Sequence, residues 1–107
     1  MYAILLKFAD NRSNAPLFME GHNAWIKKGF TDGIFQCVGS LDTGGGFVLA
    51  HGEDQEGLSQ RVQEDPFVEN NVVTAEVHRI DVKRTVPELA HLAEERQFRP
   101  APGSQLS

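Results

Sequence analysis

The chain has 107 residues, 40% of them apolar, which suffices for one compact core and not for two. Ten Lys and Arg against fifteen Asp and Glu leave a net charge of −5, so neither nucleic acid nor a membrane surface is expected as a partner. Cys37 is the only cysteine, which excludes an intrachain disulfide framework and a multi-cysteine zinc site.

Tyr2–Phe8 alternates as a strand, with Tyr2, Ile4, Leu6 and Phe8 on one face and Ala3, Leu5 and Lys7 on the other. Both faces are mostly apolar, which predicts an inner strand covered on both sides. The opening run Met1 to Leu6 has no basic leader and is too short for a secretory h-region, and no later run approaches a membrane span. A cytoplasmic protein is the simplest expectation.

After the polar break at 10–14, Ser13 or Asn14 can cap a helix with Pro16 in its first turn. The helix is expected over Ala15–Thr31, with Phe18, His22, Trp25, Ile26 and Gly29 on the inner face. Glu20, Asn23, Lys27 and Lys28 are expected largely opposite, where the Lys27-Lys28 pair is a solvated helix end. Residues 34–41 and 46–50 read as short strands joined by a hairpin at Asp42-Thr43-Gly44-Gly45. Cys37, alternating with Phe35 and Gly39, reads as a small buried hydrophobe.

Glu53 or Asp54 begins a second helix, with Leu58, Val62 and Asp65 on one stripe and Pro66 as its stop. Residues 72–82 form the last strand, whose change of phase at Ile80 and Val82 predicts a β-bulge near His78-Arg79 or a change of neighbours there. Thr85-Val86-Pro87-Glu88 matches a capping box for a further helix to about residue 97, packing through Val86, Leu89 and Leu92. Residues 99–107 are rich in Pro, Gly and Ser and are expected to be a flexible tail.

The order β-α-β-β-α-β predicts an α+β, ferredoxin-like fold: a four-stranded antiparallel sheet with both helices on one face. The other face would be bare and partly apolar, and packing two such faces together predicts a homodimer.

His22 stands inside the apolar stripe of the first helix, so its ring needs a polar partner. It is either a core histidine bonded to a backbone carbonyl or a functional group. Asp65 ends a helix where its charge opposes the dipole, and it shares the Leu58-Val62 stripe. It either simply terminates the helix or pairs with His22, which would fix the histidine tautomer as a general base requires. Trp25, Phe18 and Phe67 can form an apolar wall for a flat ligand, and Ser40 can offer a hydroxyl at its strand end. His51, His78 and Asp42 match no metal-ligand spacing, so no metal is expected. Gly44-Gly45-Gly46 lacks the Lys-Ser/Thr and helix of a phosphate loop.

The chain resembles the YCII-related (YciI-like) proteins. The resemblance rests on the Tyr2–Phe8 strand, the His22 helix and Val38-Gly39-Ser40. It rests above all on Glu64-Asp65-Pro66-Phe67-Val68 followed by Val72-Val73-Thr74-Ala75-Glu76-Val77. It spans about residues 1–83, leaving 84–98 as an add-on helix. The family's second strand often ends Gly-Pro, where this chain has Gly39-Ser40. The resemblance implies a dimeric α+β barrel and an active site containing His22 and Asp65. It also implies lyase, isomerase or dehydrohalogenase-like chemistry, without a cofactor, on small and often cyclic organic acids or phenols. A non-catalytic ligand-binding or regulatory module is the alternative on the same barrel. A cofactor-independent monooxygenase is a third reading, supported by fold analogy alone.

Overall fold

A computed structural model describes residues 1–94. Strand β1 (Tyr2–Phe8) leads through a 3₁₀ turn (Arg12–Asn14) into helix α1 (Ala15–Thr31). Strands β2 (Phe35–Ser40) and β3 (Gly46–Ala50) form a hairpin, followed by helices α2 (Gln55–Gln63) and α3 (Pro66–Glu69) and strand β4 (Val73–Arg79). The sheet runs β2-β3-β1-β4 with every pair antiparallel, the ferredoxin-like order expected from the sequence.

The alternation of β1 sets the layers. Tyr2, Ile4 and Leu6 are buried beneath the helices, while Ala3 and Leu5 are half-buried on the other face. The core joins these to Trp25, Phe35, Val48, Leu58, Val62 and Phe67. Helix α1 lies directly on β2, because Gly29 sits against the Phe35 ring: a Cβ there would fall 2.0 Å from Phe35 Cδ2. In the β2-β3 turn Gly45 has φ of +91°, and a Cβ would collide with the Leu6 carbonyl oxygen, so this position requires glycine.

The helix-free face presents Ala3, Leu5, Phe47 and Leu49, all half-buried, beside a Lys7–Glu76 ion pair of 3.0 Å. Hydrogen bonding to Lys7 holds the Glu76 carboxyl below its usual range. Cys37, register partner of Leu49, is exposed rather than buried.

Several local expectations are corrected. Asn14 precedes α1 without a side-chain cap, its carboxamide bonding Asn11 instead. Asp54 does cap α2, accepting from the Gly57 N–H at 2.7 Å. That helix ends at Gln63, and Asp65 is the N-cap of α3 rather than the end of α2. Its charge therefore suits the local dipole instead of opposing it.

Strand β4 pairs with β1 in unbroken register from Phe8↔Val73 to Tyr2↔Arg79, so it carries no bulge at His78-Arg79. The phase change marks the end of the strand, and the sheet's register shift lies between Phe35 and Cys37. Pro87–Ala93 is a 3₁₀ helix, not an α-helix capped by Thr85. Pro87 forces the preceding Val86 to extended geometry, and Val86 becomes the cap. Leu92 is buried, but Val86 and Leu89 are exposed. Polar contacts tie this segment back to the body: His91 Nε2 to Gln36 Oε1 at 2.9 Å and His51 Nε2 to the Glu94 carbonyl at 2.6 Å. The remainder of the expected add-on helix and the 99–107 tail lie outside the described residues. Among the described residues no helix is long and apolar enough to cross a membrane.

Candidate active site

Two glycine-permitted approaches hold α1 in place, and the second builds the site. Gly21 meets the first turn of α3, where a Cβ would come to 3.0 Å from Pro66 Cγ. One residue on, His22 Nδ1 lies 2.8 Å from Asp65 Oδ1. Asp65 is wholly buried, and its Oδ1 also accepts the Phe67 backbone N–H at 3.0 Å. One oxygen thus caps α3 and binds the imidazole.

The carboxylate can only accept, so in the neutral ring Nδ1 carries the proton and Nε2 the lone pair. Phe67 clamps the ring from one side, stacked at 4.0 Å between centroids and 7° between planes. With Nδ1 held inward by a fully buried partner, the opposite edge of His22 is what remains to face the cavity it lines. Asp65 Oδ2 is buried and has no hydrogen-bond partner among the described residues.

The cavity measures about 420 Å³, within the range of small-molecule sites. It opens between α1, the ends of β1 and β2, and the β2-β3 turn. Leu6, Ile26, Val38, Val48 and Phe67 give it apolar walls. His22, Asn23 and Ser40 supply its polar side chains.

The expected site residues separate into two groups. His22, Ser40 and Phe67 line the cavity, with Asp65 immediately behind His22. Trp25 and Phe18 do not line it. Trp25 is buried edge-on to Phe35, 4.9 Å between centroids, and its indole N–H donates to the Arg61 carbonyl. Phe18 is half-buried and packs against the core. Asn23, expected on the outer face, is a lining residue. The available signal was its spacing from Met19 and Ile26, which line the same cavity at i−4 and i+3. Among the described residues no cluster of three His, Cys, Asp or Glu side chains is arranged to hold a metal.

A separate charged cluster sits at the C-terminal end of α1. Arg61 bonds Glu53 at 2.7 Å and Asp32 at 3.0 Å, and Lys28 reaches Asp32 at 2.9 Å. Hydrogen bonds from Lys28 and then Arg61 hold the Asp32 carboxyl below its ordinary range, while bonding chiefly to Glu53 raises the Arg61 guanidinium.

No known family model matches the chain, and no curated protein matches it. Among solved structures it is similar to 5-chloro-2-hydroxyhydroquinone dehydrochlorinase (TftG) from Burkholderia phenoliruptrix AC1100, in complex with 2,5-dihydroxybenzoquinone. The TM-score is 0.61 at 16% identity, covering 78% of this chain and 96% of that one. At this identity the likeness establishes the shared fold.

Proposed function

We propose that this chain is a small YciI-like enzyme, and that it moves a proton on a cyclic, oxygenated substrate using His22 as general base and Asp65 to orient it. The observation that carries the reading is the 2.8 Å His22–Asp65 contact beside an apolar cavity. A buried carboxylate on one ring nitrogen leaves the other to exchange protons with a ligand, a geometry worth about 10²–10⁴ in rate. Phe67 would keep the ring from turning, and Ser40 would contact the ligand from the β2 side. The residual unit is residues 1–83, paired as a homodimer through the helix-free face bearing Leu5, Phe47 and Leu49.

The neighbour's dehydrochlorination is a reaction that one base can complete. A ring hydroxyl proton passes to His22 Nε2 and returns to the carbon bearing chlorine. A second hydroxyl proton then leaves as chloride departs, and the sum is loss of HCl with formation of a quinone.

The test offers 5-chloro-2-hydroxyhydroquinone to the full chain and to His22→Ala while following chloride release. The expected result is turnover that falls about 10²–10⁴-fold in the variant. Equal release from both proteins, or no release from the wild type, overturns the reading. Retained binding of 2,5-dihydroxybenzoquinone without turnover would assign the chain to the non-catalytic binding alternative.

A further inference from the structure

The cavity contains a polar group that the proton-transfer reading does not use. Asn23 is exposed, lines the cavity beside His22, and has no hydrogen-bond partner among the described residues. The Ser40 hydroxyl, on the β2 wall, likewise has no hydrogen-bond partner among the described residues. No Lys or Arg is among the lining residues, so the described walls offer no charge clamp for a carboxylate or phosphate. The remaining recognition chemistry is neutral. A carboxamide donates and accepts, a hydroxyl does both, and the free imidazole nitrogen accepts.

We infer that Asn23 is a specificity-determining residue that binds a ring oxygen, so the cavity selects planar rings with two or more oxygen substituents over rings with one. This deepens the reading above and rests on it. Asn23 is exposed in the empty cavity, so a bound ring that covers it takes it out of water and makes an unused polar group costly. A ring with one oxygen satisfies His22 alone and leaves Asn23 desolvated without a partner. A ring with oxygens at separated positions satisfies both. Sites built to bond a substrate oxygen reject analogues that lack it far more strongly than apolar pockets reject a change of size.

The test is calorimetric titration of the full chain, wild type and Asn23→Ala, with 2,5-dihydroxybenzoquinone and with phenol. The melting temperature of each protein is recorded alongside. Asn23→Ala is expected to weaken quinone binding about tenfold, the effect of one good hydrogen bond to a charged or strongly polar group. Phenol affinity and melting temperature are expected to stay as in the wild type. Unchanged quinone affinity, or equal loss for both ligands, overturns the inference. If His22→Ala still abolishes chloride release in that case, the proton-transfer reading stands without it. If neither ligand binds the wild type, the inference and its ring class both fail.

Discussion

The middle and the C-terminal end of α1 face the same sheet and use their polar groups differently. At the C-terminal end Gly29 lies on Phe35, and the indole and guanidinium packed beside it are both engaged. The Trp25 indole bonds the Arg61 carbonyl, and the Arg61 guanidinium bonds Glu53 and Asp32. At mid-helix the Asn23 side chain and, across the cavity, that of Ser40 have no hydrogen-bond partner among the described residues, one oxygen of buried Asp65 has none there either, and His22 lines the cavity. A buried polar atom without a partner lowers stability. The orphaned Asp65 oxygen and the cavity beside mid-helix, next to the engaged groups of the C-terminal end, separate a candidate site from a scaffold.

The comparison can be broken most forcefully at the packed end. Phe35→Ala removes a ring that is 3% exposed and should destabilise the fold by about 3–5 kcal/mol. Urea unfolding measures this, and a loss below about 1 kcal/mol would mean that end is not tightly packed. Gly29→Ala pushes a methyl group into the same ring and should cost about 1–3 kcal/mol by overpacking. The matching substitution beside the cavity, Asn23→Ala, should stay within about 0.5 kcal/mol of the wild type in the same assay.

Asp65 joins both behaviours, so its variants sharpen the contrast. Asp65→Ala leaves the Phe67 N–H and the His22 Nδ1–H without their acceptor and should cost about 1–3 kcal/mol. Asp65→Asn keeps an acceptor oxygen for the cap and should cost less. Equal losses in the two variants would show that the capping bond contributes little.

The smallest effect is expected in acid. The Asp32 carboxyl is held below its ordinary value of 3.8 by Lys28 and Arg61. The unfolded chain therefore binds more protons than the native one as pH falls past that value. The stabilisation is present above 3.8 and is lost as pH drops through the lowered native value. Asp32→Asn should flatten this acid limb of the stability profile while leaving ligand binding beside the middle of α1 unaltered.

Much of the scaffold was legible because period and burial coincide: β1 alternates in twos and α1 carries its apolar stripe over 17 residues. The approach of His22 to Asp65 was also legible, although half of the reason was wrong. His22 needed a partner because it lies on an inward stripe. Asp65 was read as an unfavourable helix end, whereas it caps the next helix. Pro66 explains the error, since a proline that stops one helix is equally suited to the first turn of another. Asn23 is exposed, as its polarity suggests, and it also lines the cavity, which no local pattern between Met19 and Ile26 shows. The docking of the segment around Leu92 involves distant contacts with His51 and Gln36 that no local pattern encodes.

The central claim is that Asp65 holds the proton of neutral His22 on Nδ1 and leaves Nε2 for the ligand. Nitrogen-15 correlation spectra of the imidazole, recorded at mildly alkaline pH on the full chain, read the tautomer directly and need no substrate. The account predicts that His22 is protonated at Nδ1 and bare at Nε2, the less common form for a free histidine side chain. A His22 ring protonated at Nε2, with Nδ1 bare, would contradict it.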